Sequence, residues 1–346
     1  MIISRLSLYK VIKDRWLRLH PGAERPVFRG DAEDCPYKTR MRDFYFIRRD
    51  DNLLQSMSPD TERAYREGDG GELEEYVDKH GSLQPPKLHS VASSSALTFN
   101  IFGNGPEAVF AGDLRESSAH SYPPAADSGP EGGPYRIEYE KKLRVLWGSN
   151  RPANLDAYLY DGKNGVFVET KLSEWLCDPP KVLDHAYGDP SRYPAGLFEA
   201  LAPLRKRVNS RDFRRLDAAQ LYRHIIGIFN ERCYLGGLPG TLSRITLALC
   251  YWAPEPEYFA GTDIDPRHYE AAREELIGDC ALFTDRLAAS SPSVFDLFGE
   301  KGVRFGFAAI PADRLAGLLQ REDPAAYSEF MKRYGADTGS PDGSAE

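Results

Sequence analysis

The chain has 346 residues, of which 41% are hydrophobic, enough for one large core or two modest ones. Its 52 acidic side chains outnumber the 44 basic ones, giving a net charge of −8, which excludes a protein that grips nucleic acid with its whole surface. Any site for a polyanion must be a local basic patch. The five cysteines (Cys35, Cys177, Cys233, Cys250 and Cys280) are scattered and form no CxxC pair, which argues against a disulfide framework and against a zinc cluster. No apolar run reaches the length of a membrane span, and charges interrupt the N-terminal stretch MIISRLSLYKVIKDRW too often for a signal peptide. The expectation is a soluble, cytoplasmic protein with no membrane partner.

In chain order, residues 1–89 read as a charged N-terminal extension packed on the rest. Within it Asp43–Arg49 (DFYFIRR) reads as a short strand and Asp60–Gly68 (DTERAYREG) as the start of a capped helix. Ser90–Gly103 (SVASSSALTFNIFG) has serine caps ahead of apolar residues at helical spacing, so a helix is expected there. The Pro-, Gly- and Ser-rich stretch Glu116–Tyr135 reads as a long surface loop. Then YRIEYEKKLRVLW alternates apolar and charged residues between Tyr135 and Trp147, with Lys141 as the one charged residue on the apolar side, which predicts a strand. The runs NLDAYLY (Asn154–Tyr160) and VFVETKL (Val166–Leu172) flank the turn DGKNG and predict a hairpin, so three strands follow as a meander.

Arg215–Glu231 carries Leu216, Ala219, Tyr222, Ile226 and Phe229 on one stripe behind Asp217 as a cap, and is the clearest helix of the chain. Ser243–Pro254 reads as a buried strand, Asp265–Leu287 as a long helix, Val303–Ile310 as a strand, and PADRLAGLLQ as a short helix. There is no internal repeat. Residues 90–335 therefore form the main domain, and 336–346 are expected to be a disordered tail.

The chemistry gathers on the hairpin. Alternation puts Glu169 and Lys171 on one face of the second strand and Asp156 on a face of the first. The step of thirteen residues from Asp156 to Glu169 lets the two carboxylates meet across the pair. Facing carboxylates repel, and a divalent cation relieves that. Oxygen ligands suit magnesium, for which manganese can substitute; Asp156, Glu169 and the backbone carbonyl of Thr170 are the candidate ligands. Lys171 would then orient or deprotonate an attacking water.

An Asp, a gap, then Glu-x-Lys on the next strand resembles the PD-(D/E)XK nuclease superfamily, which includes restriction endonucleases and RecB-type nucleases. Gln220 and His224, four apart on one helical face, resemble the helix motif of RecB-like members. GDGGEL, SSSALTFNIFG and RPANLDAYLY together look like bacterial PD-(D/E)XK proteins described mostly as restriction endonucleases. The resemblance covers about Ser90 to Pro254. It implies an α/β restriction endonuclease-like core of order αβββαβ, a mixed central sheet flanked by helices, with N- and C-terminal additions. It also implies metal-dependent hydrolysis of DNA, less readily of RNA, with Asp156, Glu169 and Lys171 as the catalytic set joined by Gln220 and His224; it leaves room for a homodimer.

Many relatives carry a glutamate on the first core helix, which this chain lacks. Ser94, Ser95 or Asn100 would then hold a metal-bound water, or Glu138 or Glu140 would reach the site from the first strand. Three bland readings stand beside these. Asp156, Glu169 and Lys171 could form a structural ion pair in a catalytically inactive nuclease-fold protein that binds nucleic acid or serves assembly. Gln220 and His224 could lie on a solvated helix face. The basic run RKRVNSRDFRR (Arg205–Arg215) could be a solvated loop rather than a grip on phosphates.

Overall fold

The computed structural model describes every residue except 1, 21–26, 34, 38–40, 69–71, 79, 104–107, 110–119, 123–133, 150, 320–323 and 336–346. Helices α1 (Arg5–Leu19) and α2 (Pro59–Glu67) and a small hairpin of β1 (Tyr76–Val77) and β2 (Leu83–Gln84) precede α3 (Ser94–Phe102). Strands β3 (Ala108–Val109), β4 (His120–Tyr122), β5 (Pro134–Arg144), β6 (Pro152–Tyr160) and β7 (Asn164–Lys171) follow. The one-turn helices α4 (Glu174–Cys177) and α5 (Leu197–Ala200) and then α6 (Ala202–Asn209) lead to α7 (Ala218–Asn230) and β8 (Arg244–Tyr251). The chain continues through α8 (Pro266–Ala288), α9 (Val294–Glu300), β9 (Arg304–Pro311), α10 (Ala312–Leu319) and α11 (Pro324–Tyr334).

Seven strands make one mixed sheet in the order β3-β5-β6-β7-β8-β9-β4. The meander β5-β6-β7 is antiparallel, closed between β6 and β7 by a turn in which Asp161 Oδ1 accepts hydrogen bonds from the amides of Lys163 and Asn164. Strands β8 and β9 run parallel to β7, and Ile245 to Tyr251 are buried without a break, as a strand covered on both faces requires. Helix α7 packs on β5 and β6, while α2 packs on β5 and α3 on β6 and β7.

Strand β5 changes faces within its own length. Tyr139 stacks on Tyr65 of α2, whereas Leu143, an even number of residues later, lies under Gly227 of α7. Between them Glu140 adopts a left-handed φ of 51°. That residue explains Lys141, the break in the alternation: it joins Glu138, to which it is paired at 2.7 Å, and its ammonium lies over the Tyr158 ring.

The N-terminal segment joins the same hydrophobic core. Asn52 donates to the carbonyls of Leu88 and Ser90, and Arg333 of α11 reaches back to both the backbone and the side chain of Asn52. Arg15 of α1 donates to the carbonyl of Lys332, and the Arg333 guanidinium lies over Trp16.

Three expectations need correction or limits. Asp43–Arg49 is not a strand: a 3-10 turn occupies Arg42–Phe44, followed by isolated bridges from Phe46 to Phe28 and from Tyr45 to Ser90. Phe44 and Phe46 are buried against α1 and Phe28, and these side-chain contacts take the place of a strand ladder. The stretch Glu116–Tyr135 is not all loop, because His120–Tyr122 pairs with β9 and Pro134 and Tyr135 begin β5. The rest of it, like the tail 336–346, lies outside the described residues. Among the described residues no helix is long and apolar enough to cross a membrane, and all five cysteines are free.

Gly227 gives a test of the α7 packing. An alanine Cβ there would sit 2.6 Å from the Cβ of Leu143. Helix propensity alone would favour Gly227→Ala by about 1 kcal/mol. Overpacking costs about 1–3 kcal/mol and should win. The variant should melt below wild type; an equal or higher melting temperature would mean that β5 yields freely under α7.

Candidate active site

The β6–β7 ladder ends at the pair Ala157 and Val168. One step further the register sets Asp156 opposite Glu169, and on the other side the β5–β6 register sets Glu140 opposite Asp156. Three carboxylates thus lie in a row on adjacent strands. Where the ladder stops, the side chain of Asp156 takes over: its Oδ2 accepts from the Thr170 amide at 2.6 Å. The N–H and C=O of one strand residue leave on the same edge, so the Thr170 carbonyl also points toward β6.

Helix α7 supplies the rest. Its start is pinned by Asp279 of α8, whose Oδ2 accepts the amides of Arg214, Arg215 and Leu216 at 2.8, 2.6 and 3.0 Å. Asp217 then caps the helix by accepting from the Gln220 amide. Residues four apart share a helical face, so Gln220 and His224 both reach Glu169: Gln220 Nε2 donates to Oε1 at 2.6 Å, and His224 Nε2 lies 2.8 Å from Oε2. Lys171 adds an ion pair to Oε1 at 2.5 Å. The sequence candidates Asp156, Glu169, Lys171, Gln220 and His224 are therefore brought together, with the backbone of Thr170 beside them.

The two central carboxylates differ in proton affinity. Burial would raise the Glu169 carboxyl, but Lys171 and then His224 outweigh it and hold the group down at about 2. Asp156 has no such cation of its own; burial and then the charge of Glu169 push it well above the ordinary range. Burial works against the Lys171 ammonium, yet Glu169, Glu174 and Asp156 together raise it, so the lysine keeps its proton. One acid stays ionised while its neighbour tends to hold a proton, a division that environment alone creates.

These groups form the floor of a cavity of about 460 Å³, where Glu169 is only 2% exposed. Asn154 Oδ1 and Thr170 Oγ1, on residues that line it, are buried without a hydrogen-bond partner. Among the described residues no group of three or more His, Cys, Asp or Glu is gathered as a metal cage. The donors present are oxygens: two facing carboxylates, a third beside them and a strand-edge carbonyl. That set suits a hard cation held by one or two carboxylates and otherwise by water and substrate.

Of the further ligand candidates, Glu140 lines the cavity, whereas Glu138 is engaged by Lys141. Ser94 and Ser95 line it too, but their hydroxyls donate to Glu174 and Glu72 at 2.7 and 2.6 Å. Asn100 is no part of the site: it accepts from the Leu54 amide and donates to the Asn52 carbonyl and the Tyr334 hydroxyl. The basic run is mostly helix α6 and a turn rather than a free loop. Arg207 pairs with Asp212, Arg214 and Arg215 with Glu275, and Arg205 lies over the Phe198 ring, which leaves Lys206 and Arg211 exposed. Sequence reading did not anticipate Glu72, Glu174 or Tyr9, Tyr45 and Tyr76 in the lining. Of these, Glu174, three residues after Lys171, and Glu72, inside the stretch GDGGEL, lie beside or within motifs the sequence marks.

The opposite shifts give substitutions opposite signs in metal-free buffer. A raised folded pKa means the folded state binds the Asp156 proton more tightly, so stability is lost as pH climbs from the unfolded value through the folded one. Asp156→Asn removes that loss and should melt a few degrees above wild type at neutral pH, the gap closing below about pH 4. Glu169 is depressed, so its contribution is present above its unfolded pKa and lost as pH falls toward about 2. Glu169→Gln should therefore melt below wild type at neutral pH. Thermal melts against pH check both; shifts of the same sign would refute the division of charge.

Comparison with known proteins adds a family. No curated protein and no solved structure matches the chain. The sequence pattern of one family matches residues 29–242, more than half of the chain and a span that holds all the residues just described on β5, β6, β7 and α7. The chain belongs to the family described as restriction endonuclease associating with ARP.

Proposed function

We propose that the chain hydrolyses phosphodiester bonds of DNA with the help of magnesium or manganese, as a PD-(D/E)XK-type endonuclease. The observation that carries this reading is Asp156 facing Glu169 at the open end of a hairpin, with both oxygens of Glu169 aimed by Lys171, Gln220 and His224. The order α3, meander β5-β6-β7, α7, β8 fits the core expected of such enzymes. Membership of a family described as a restriction endonuclease supports the same class, and that description makes association with ARP part of the proposal.

Asp156, Glu169 and the Thr170 carbonyl would hold the cation, with Glu140 beside them. The bound ion would lower the pKa of a water and offset charge building on the phosphate. The rest falls to the protein. Gln220 and His224 keep Glu169 from rotating out of place. Lys171, whose proton is held by three acids, is suited to orient the water and balance phosphate charge, and unsuited to take a proton. Asp156 keeps the Thr170 backbone fixed while presenting its other oxygen.

A second reading has one observation in its favour. Glu169 already has three donors, as it would in a structural ion pair of an inactive nuclease-fold binding or assembly protein. Purified protein incubated with supercoiled, linear and single-stranded DNA in magnesium, manganese or chelator separates the two. The nuclease cuts only with metal, and Asp156→Asn and Glu169→Gln each lose at least about a hundredfold in rate. Lys171→Ala should still bind DNA in calcium but fail to cut, while Lys171→Arg, which cannot give up its proton, should retain cleavage. Absence of metal-dependent cleavage by the wild-type protein would leave the inactive scaffold.

A further inference from the structure

The site cavity has a second wall that the catalytic reading does not use. Tyr9 of α1, Tyr45, Tyr76 of β1 and Lys87 all line it, and all come from the segment ahead of α3. Tyr45 is held there by its bridge to Ser90. Tyr76 is 37% exposed on a two-residue strand whose other residue, Val77, is 65% exposed, and it takes no part in the hydrophobic core. The Lys87 ammonium lies 5.8 Å from the centre of its ring and 3.5 Å from Glu72. An aromatic ring exposed at the wall of a cavity, on a hairpin and outside the hydrophobic core, presents a face for stacking.

We infer that the strand admitted to this cavity is unpaired DNA, and that Tyr76 and Tyr45 stack its bases; this rests on the proposed nuclease activity. The carboxylates are the floor, not the rim: with Glu169 2% exposed, a phosphodiester must enter the cavity to reach them. A volume of about 460 Å³ falls in the range of roughly 300–1,000 Å³ that suits one small ligand, about the size of a single nucleotide with its phosphate. A base that has left its stack loses its π-contacts, and phenol rings replace them without regard to sequence. The charge of the wall agrees. Acidic side chains outnumber basic ones seven to four in the lining, so affinity comes from stacking and from the cation rather than from a positively charged track along a duplex.

The test reads binding, so it stands apart from turnover. Fluorescence anisotropy in calcium would compare a short single-stranded oligonucleotide, its blunt duplex, and that duplex carrying a single-stranded overhang. The single strand and the overhang should bind about tenfold or more tightly than the blunt duplex, and Tyr76→Ala should weaken only those two by about tenfold. Tyr76→Phe, which keeps the ring, should bind as wild type does. Tyr45→Ala should act like Tyr76→Ala provided its melting curve is that of the wild type; Tyr76 on its exposed hairpin decides the matter if it is not. Equal affinity for blunt duplex and single strand, no affinity for either, or an unchanged Tyr76→Ala would overturn the inference. The two claims fail separately. A protein that cuts plasmid in magnesium but binds duplex and single strand alike keeps the nuclease reading and loses this one. A protein that holds the unpaired strand through Tyr76 and cuts nothing does the reverse.

Discussion

A buried glutamate bound from three directions organises this molecule. Glu169 lies deep in the protein, where a lone carboxylate would cost several kcal/mol. It is tolerable because an ammonium from its own strand and two donors from α7 surround it. The arrangement works in both directions. The donors hold Glu169 ionised, and the glutamate in turn fixes the rotation of α7 about its axis, since only one helical face offers both an amide and an imidazole. The same face lies on the sheet, where Gly227, three residues beyond His224, meets Leu143 of β5, while Ile225, Ile228 and Phe229 are buried on the other sides of the helix.

The same interaction explains why distant parts of the chain are drawn in. Helix α7 can present Gln220 and His224 only if its first turn is anchored, and the anchor is Asp279, more than sixty residues later in α8. Three backbone amides of the segment just ahead of the Asp217 cap converge on one carboxylate there. Glu275, one helical turn earlier, takes Arg214 and Arg215. Much of the positive charge ahead of α7 is thus spent on holding the helix in position and is not available to a ligand.

This division separates what the sequence discloses from what it conceals. Period-two alternation made the meander visible, the Asp217 cap and apolar stripe made α7 visible, and the spacing from Asp156 through Glu169 to Lys171 singled out the residues that meet. Each of those signals is local. Glu140 could be named only together with Glu138, because the choice between them depends on one left-handed residue inside a strand, and nothing in YRIEYEKK beyond the odd placement of Lys141 marks it. The basic run stayed open between two readings for the opposite reason: six positive charges in eleven residues look like a patch until Asp212, and Glu275 of α8, are placed against three of them. The tyrosine wall left no pattern at all, because Tyr9, Tyr45 and Tyr76 are far apart in sequence and converge only through the tertiary fold.

The grip of Arg333 on Asn52 has a consequence for how the protein is made. During synthesis Tyr9 and Tyr45 emerge from the ribosome long before the sheet, but α1 and the turn at Asn52 are fastened by Lys332 and Arg333 of α11. The carboxylates on β6 and β7, the helix that aims them and the strand that backs them can assemble while that clasp is still being translated. Helix α1 is therefore fastened in two stages: its start once Ile3 and Arg5 can meet Leu176 and Asp178, and its far end, with Arg15 and Trp16, only when α11 arrives.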